Sequence, residues 1–166
     1  MIYVIRHAEP SIRGVLLGRL DPPLRSLPPP LELAVKSVFT SPLRRARDTA
    51  ASLFPGLQAT VLDALAEISM GEWDGLTWAE IEERDSVLST RKLDDWFGVP
   101  SPGGEDYETC LRRAKEALAV IRKSAQPAAI VAHAGINAII WQLLTGSAAA
   151  SYQQDYLEVK TYESPD

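Results

Sequence analysis

The chain has 166 residues, of which 46% are hydrophobic and 23% charged, and its 17 basic and 22 acidic residues give a formal net charge of −5. Composition and length predict a single globular domain over residues 1–166, with a core that needs no disulfide or structural metal. The acidic balance argues against a nucleic-acid partner, because such binding depends on neutralising phosphates. The single cysteine, Cys110, cannot form an internal disulfide, and no zinc-binding cysteine pattern occurs.

The apolar segments are too short to indicate targeting or insertion into a membrane. Residues 1–4 lead directly to the charged Arg6 and Glu9, which does not resemble a signal peptide. The longest apolar run, around residues 138–141, is far shorter than the roughly 20 residues of a membrane-spanning helix. We therefore expect a soluble, cytoplasmic protein with no membrane partner. No interface stripe stands out from the core pattern, so the sequence predicts no particular oligomeric state.

Short apolar segments alternate with amphipathic segments along the chain. A helix is predicted from Ser41 and Pro42 to Leu53, with the serine as N-cap, and a second helix is capped by Thr77. The alternation predicts an α/β fold, a three-layer α/β/α sandwich with a mostly parallel central sheet. Strands are predicted at 2–5, 35–40, 58–62, 128–132 and 156–162, further helices at about 106–123 and 136–144, and loops at 22–30 and 99–104.

The two histidines of the chain each follow a predicted strand directly, His7 after the first and His133 after the fourth. In open parallel sheets, ligands bind beyond the carboxyl ends of the strands. A single histidine after a strand is more often structural than catalytic. Two at equivalent places indicate a site at this edge of the sheet.

Arginines gather near the same edge. Arg6 precedes His7, and Arg44, Arg45 and Arg47 fall within one turn of the helix predicted after the second strand. Guanidinium groups bind phosphate oxygens in a bidentate way, and a helix N-terminus attracts anions. The pattern therefore predicts an anionic ligand, although a helix shows only one side to a site and we expect Arg44 and Arg47 to be solvated.

Several motifs together resemble the histidine phosphatase (phosphoglycerate mutase-like) superfamily, in the order in which that family carries them. The compact length and the segment E-I-S-M-G-E-W-D-G look most like small phosphatases of the α-ribazole phosphatase type. The motifs are R-H-A-E at 6–9, G-R-L-D-P-P-L at 18–24, S-P-L-R-R-A-R-D-T-A at 41–50, L-A-E-I-S-M-G-E-W-D-G at 65–75, P-G-G-E at 102–105 and A-H-A-G at 132–135.

The resemblance implies hydrolysis of a phosphomonoester through a phosphohistidine intermediate. His7 would be the nucleophile, Arg6 and Arg45 would bind phosphate oxygens, His133 would complete the phosphate pocket, and Glu67 would donate a proton to the leaving oxygen. A neutral imidazole and one carboxyl group that acts first as acid and then as base suffice for this chemistry. The scheme implies no metal and no cofactor.

The predicted substrate is a small phosphorylated metabolite, with α-ribazole phosphate as one candidate. Arg13 and Arg19 lie in the loop where members of the family often hold substrate, so each is a candidate substrate contact. Three residues depart from the family pattern: Ala8 and Ala134 replace usual glycines, and Asn137 stands where many relatives carry arginine. The long insertions of phosphoglycerate mutases are missing, which favours a small phosphatase over a mutase.

Three alternatives stay open at the level of sequence. A protein phosphohistidine phosphatase is the nearest, although such members generally lack the motif that contains Glu67. A non-catalytic module that binds phosphoryl ligands is another, since it would keep the anion pocket. A metal-dependent hydrolase is disfavoured because neither H-x-H nor H-E-x-x-H spacing occurs.

Overall fold

A five-stranded, mostly parallel sheet forms the centre of the protein, as seen in a computed structural model that describes residues 1–163. Its strand order is β3-β2-β4-β1-β5, and the pairs β2–β3, β2–β4 and β1–β4 are parallel. Only β5 runs antiparallel, at the edge beside β1. The strands are β1 (Ile2–Arg6), β2 (Ser37–Thr40), β3 (Thr60–Val61), β4 (Ala128–Ala132) and β5 (Val159–Tyr162).

The central strand β4 is buried at every residue, as expected for a parallel strand whose two faces are both covered. Its side chains alternate between two cores, with Ile130 on one face and Val131 on the other. The register with β1 places Arg6 opposite Ala132, so the two strands end at the same level. The residues that follow them therefore start from adjacent points.

Helices cover both faces of the sheet, which confirms the predicted three-layer sandwich. Helix α1 packs on one face through Ala50 and Leu53, and α4 and α5 pack on the other. None of the helices in residues 1–163 is both long and apolar enough to cross a membrane. The helices are α1 (Arg44–Leu53), α2 (Trp78–Arg84), α3 (Ser86–Asp94), α4 (Tyr107–Ile121) and α5 (Ala134–Thr145).

Local differences from the predicted elements have identifiable causes. The capping box of α2 is present: the Thr77 side chain accepts from the Glu80 N–H, and the Glu80 carboxylate accepts from the Thr77 N–H. The predicted serine N-cap of α1 is wrong, because α1 begins only at Arg44 and the Ser41 hydroxyl accepts from the Leu43 N–H instead. Helix α3 was not predicted, since its exposed, polar sequence lacks a clear apolar stripe.

Candidate active site

The residues singled out from the sequence meet at the carboxyl ends of three adjacent strands. His7 follows β1, Ser41 follows β2 and His133 follows β4, and these strands are neighbours in the order β2-β4-β1. The two imidazole rings lie edge to face with their centroids 5.0 Å apart. Arg45, in the first turn of α1, reaches the same point. Chain topology therefore brings together residues that are up to about 130 positions apart in sequence.

His7 is buried and oriented by hydrogen bonds at both ring nitrogens. Its Nδ1 donates to the Ala8 carbonyl at 2.6 Å, which leaves the Nε2 lone pair as acceptor for the Arg45 Nε–H at 3.3 Å. Burial is the main reason why the pKa of His7 falls to about 3; the bond to Ala8 opposes this, and the charges of Arg45 and Arg6 add to it. The ring is therefore neutral near pH 7, with Nε2 available to act as a nucleophile.

Two arginines flank His7 and are held in place by backbone carbonyls. Arg45 is 1% exposed and donates through Nη2 to the Gly18 carbonyl at 3.0 Å and through Nη1 to the Leu20 carbonyl. The Arg6 Nη1 donates to the Gln154 carbonyl at 2.8 Å. The two guanidinium groups are thus positioned in advance, so an anion that reaches His7 meets fixed positive charge.

His133 is fully buried and joined through Nε2 to the Ser41 hydroxyl at 2.7 Å. Burial, followed by the proximity of His7 and Arg45, lowers the pKa of His133 well below its usual value. Its Nδ1 has no hydrogen-bond partner within the described part of the chain. His133 also forms the N-cap position of α5, so the positive end of that helix dipole lies at the site.

Glu67 is held at the N-terminus of α5 by three backbone N–H groups. Its carboxylate accepts from Ile68 at 2.9 Å, from Gly135 at 3.2 Å and from Ile136 at 3.0 Å. A Cβ at residue 135 would lie only 2.7 Å from the Glu67 Oε1, so a larger residue there would displace the carboxylate from this position. The second glycine of the family's histidine motif is therefore retained where the carboxylate needs it, and alanine replaces only the first.

An ion pair between Arg113 and Glu105 supports the segment that carries Glu67. Arg113 donates to both oxygens of Glu105, at 2.9 and 3.0 Å, and its remaining nitrogen donates to the Ala64 and Ala66 carbonyls at 2.8 and 2.6 Å. The same carboxylate accepts from the Ser69 N–H at 2.8 Å. Burial opposes ionisation of Glu105, yet the bonds from Arg113 and Ser69 bring its pKa below the usual value. We call Glu105, Arg113 and Arg19 the carboxylate clamp.

Arg19 belongs to this clamp, and Arg13 lies apart from it. The Arg19 Nε donates to the Glu67 carbonyl at 2.6 Å and its Nη2 donates to Glu105 at 3.1 Å. The Arg13 side chain is 59% exposed and pairs with Glu9. Neither side chain lines the cavity at His7. Contact of either arginine with substrate stays a prediction.

The structure also accounts for the two alanines that replace family glycines and for the two remaining arginines of α1. Within residues 1–163, Leu157 is the only residue other than glycine with a positive φ, so Ala8 and Ala134 adopt backbone conformations that suit alanine. Arg44 and Arg47 are exposed on α1, as predicted for the solvated side of that helix.

A cavity of about 650 Å³ opens over the site, and Arg6, His7, Arg45 and Glu67 are among the residues that line it. It extends to aromatic residues that sequence reasoning largely missed. Trp96 lines the cavity, whereas Trp73 is buried in the core. Phe97, Tyr152 and Tyr156 also line the cavity. They lie in loops without a motif, and no signal in the sequence distinguishes them from core aromatics.

Metal-ligating side chains do not cluster in the part of the chain that the structure describes. Across residues 1–163, no three side chains of histidine, cysteine, aspartate or glutamate come close enough to hold a metal ion together.

The family model of the histidine phosphatase superfamily, branch 1, matches residues 31–162, and the chain therefore belongs to this superfamily. The resemblance recognised in the motifs is confirmed. His7 and its motif lie before the matched range, so their place in the site comes from the structure.

Solved structures show the same fold. The structure of the α-ribazole phosphatase from Shigella flexneri is 23% identical, with a TM-score of 0.77 over 90% of this chain and 82% of that one. The structure of the mycobacterial glucosyl-3-phosphoglycerate phosphatase is 25% identical, with a TM-score of 0.74 over 90% and 81% of the two chains.

Curated relatives come from mycobacteria among other sources. The glucosyl-3-phosphoglycerate phosphatase of Mycobacterium tuberculosis is 27% identical over 92% of this chain and 83% of its own length. A bifunctional protein of the same species is 43% identical over 83 residues, which are 49% of this chain and 22% of that protein. The matched segment is thus only about a fifth of that longer relative.

Proposed function

We propose that the chain is a phosphomonoester hydrolase that acts on a small phosphorylated metabolite through a phosphohistidine intermediate on His7. The neutral, oriented imidazole of His7 carries this proposal: its Nε2 accepts from the Arg45 Nε–H, and the charge of Arg6 is close enough to act on the same ring. An attacking nitrogen and two cations in one cavity are what transfer of a phosphoryl group requires.

In the first half of the reaction, the His7 Nε2 forms a bond to phosphorus as the bond to the leaving oxygen breaks. Arg6 and Arg45 stabilise the charge on the remaining phosphoryl oxygens. His133 does not line the cavity, but its ring lies 5.0 Å from that of His7, and we expect it to complete the phosphate pocket once the phosphoryl group is bound. Glu67, in its protonated form, gives its proton to the leaving oxygen, and the alcohol departs. The Nδ1 proton of His7 stays on the ring, held by the Ala8 carbonyl.

In the second half, water attacks the phosphorus of the phosphohistidine. The Glu67 carboxylate takes the proton of this water, the P–N bond breaks, and the electron pair returns to Nε2. Inorganic phosphate leaves, and His7 and the protonated Glu67 are restored. One carboxyl group therefore acts as acid and then as base. Every step uses side chains of this chain, so the proposal includes independence from metal ions.

The names of the relatives support two candidate substrates, α-ribazole phosphate and glucosyl-3-phosphoglycerate. Both are small phosphomonoesters, which agrees with a cavity of about 650 Å³. A protein phosphohistidine phosphatase is the alternative activity. The position of Glu67 in the cavity favours ester hydrolysis, because an alkoxide leaving group needs a proton donor.

The test is hydrolysis of p-nitrophenyl phosphate and methyl phosphate in excess EDTA, with the wild type beside His7→Ala and Glu67→Gln. We expect EDTA to have no effect and His7→Ala to abolish turnover. Glu67→Gln should slow methyl phosphate at least tenfold more than p-nitrophenyl phosphate, because p-nitrophenolate leaves without protonation.

Two arginines on the same helix provide a matched control. Arg45→Ala should lower kcat/KM at least a hundredfold, whereas Arg47→Ala on the exposed side of α1 should change it less than twofold. Activity lost in EDTA would replace this mechanism by that of a metal hydrolase. Turnover of a phosphohistidine protein but not of esters would favour a protein phosphohistidine phosphatase. If neither kind of substrate is turned over, the result would favour a non-catalytic module that binds phosphoryl ligands.

A further inference from the structure

The part of the cavity beyond His7 has a chemical character of its own. Tyr156 forms the boundary: its ring lies 4.0 Å from the Arg6 guanidinium and 5.6 Å from the His7 ring, both measured to the ring centroid. Trp96, Phe97 and Tyr152 add further aromatic and apolar surface to the lining of the same cavity. Apolar surfaces of this kind, left partly exposed in a cavity, are typical of sites for an apolar ligand group.

The charges in the cavity are distributed unevenly. Of the lining residues that the structure describes, Arg6 and Arg45 are the only cations, and both face the phosphate end at His7. Asp94 and Asp95, from the end of α3, line the cavity next to Trp96 in sequence and are exposed. The nearby guanidinium of Arg19 is already bonded to Glu105 and does not line the cavity.

These two features have opposite effects on two kinds of substrate. An uncharged aromatic or apolar leaving group would bury its surface against the rings of the cavity. A leaving group with its own carboxylate or second phosphate would approach two aspartates, and no cation of the lining is free to pair with it, since both lining arginines are occupied by the phosphoryl group. Lys92 lies 5.0 Å from the centroid of the Trp96 ring, but it is buried, donates to the Val99 carbonyl and does not line the cavity. Selection therefore arises both from attraction and from repulsion.

We propose that this site selects phosphomonoesters whose leaving group is uncharged and presents an aromatic or apolar face, and that it discriminates against esters that carry a second anionic group. The inference rests on the proposed hydrolase function and narrows its substrate class. It separates the two candidates above, because a phosphoglycerate ester carries a carboxylate close to its phosphate.

The experiment compares kcat/KM for benzyl phosphate, 4-carboxybenzyl phosphate and methyl phosphate. The first two differ in one remote carboxylate, and the last lacks the ring. We expect benzyl phosphate to exceed each of the others at least tenfold. Asp94→Asn combined with Asp95→Asn should lower the ratio of kcat/KM for benzyl phosphate to that for 4-carboxybenzyl phosphate at least threefold. In this variant the amide oxygen at position 95 can still accept from the Gly98 N–H.

A pair of variants at aromatic residues tests the role of the aromatic wall, which consists of the lining residues Trp96, Phe97, Tyr152 and Tyr156. Trp96→Leu should lower the ratio of benzyl to methyl phosphate turnover at least fivefold. Tyr3→Leu, at a partly buried aromatic residue that packs against the core on the α1 side of the sheet and lies outside the cavity lining, should preserve that ratio. If Trp96→Leu does not fold, the combined aspartate variant tests the proposal, because both of its substitutions are at exposed positions.

The outcomes separate this inference from the function on which it rests. Turnover of methyl or 4-carboxybenzyl phosphate equal to that of benzyl phosphate would overturn the inference and leave the hydrolase function intact. Ratios that stay constant in the Trp96 and aspartate variants would overturn it in the same way. No turnover of any monoester by the wild type would overturn the function and the inference together.

Discussion

Both histidines of the site are buried bases, and burial determines how they respond to acid. An exposed histidine takes up a proton near pH 6.5, whereas His7 keeps its neutral form down to about pH 3. His133 is shifted in the same direction. Below pH 6.5 the two histidines therefore bind more protons in the unfolded chain than in the folded protein. The free energy of unfolding must then decrease as the pH is lowered through that range.

We expect the free energy of unfolding to fall by about 2 kcal/mol between pH 7.5 and pH 5 through His7 alone, since its pKa is about 3 in the folded protein and about 6.5 when unfolded. Urea unfolding across this range measures the effect, and the carboxyl groups titrate mostly below it. In His7→Gln this part of the pH dependence should be absent. An identical pH dependence in both proteins would contradict the assignment.

At the scale of elements, the carboxylate clamp ties the start of α4 to the segment before Glu67. Glu105 and Arg113 are 16% and 11% exposed at their side chains, so their ion pair is largely shielded from water. Removing one charge from such a pair leaves the other without compensation. The clamp thus holds the segment around Glu67 against the N-terminal half of α4.

Glu105→Gln should lower the free energy of unfolding by about 2 kcal/mol, because Arg113 would lose its charged partner. It should also slow methyl phosphate more than p-nitrophenyl phosphate, the signature of a displaced proton donor. The control is Glu72→Gln, whose pair with Arg84 is exposed and should contribute less than about 0.5 kcal/mol. Equal effects of the two variants on both measurements would show that the clamp positions nothing.

Helix starts show which local signals the sequence carries. The capping box at Thr77 and Glu80 is a contact within four residues, so its pattern predicted the start of α2 correctly. The start of α1 was misplaced because the Ser41 hydroxyl accepts from the Leu43 N–H, before the helix begins, and also bonds to His133, which is 92 residues away. A serine beside a proline satisfies the pattern for an N-cap, but the partner of its hydroxyl is decided by the sheet.

At the scale of the whole molecule, Gln154 fastens the C-terminal segment to the sheet beneath the site. Its Nε2 donates to the Val4 carbonyl at 2.8 Å and to the Glu158 carbonyl at 2.9 Å. Its Oε1 accepts from the Asn137 Nδ2 at 3.0 Å, so Asn137 serves here in a buried polar contact. Through its own carbonyl, Gln154 also holds Arg6.

Gln154→Leu should destabilise the protein by about 2–4 kcal/mol, because it leaves several buried polar groups without partners. It should also raise KM for phosphate esters, since the segment that holds Arg6 and Tyr156 would loosen. Chemical unfolding and steady-state kinetics measure the two effects. Gln153→Leu, at the exposed neighbour, should change stability by less than about 0.5 kcal/mol; a comparable loss in this variant would contradict the role of Gln154.

The sequence by itself determined the α/β class, the three layers and the residues that gather at the sheet edge. Strand and helix patterns depend on neighbours along the chain, and His7, Arg45, Glu67 and His133 lie in motifs that can be recognised as such. Only the tertiary structure showed how closely the Glu67 carboxylate approaches Gly135, and that Arg13 and Arg19 lie outside the cavity lining. These properties depend on contacts between residues far apart in sequence, which no local pattern encodes. The aromatic wall belongs to the same group, because Trp96 and Tyr156 come from loops whose paths are set by packing.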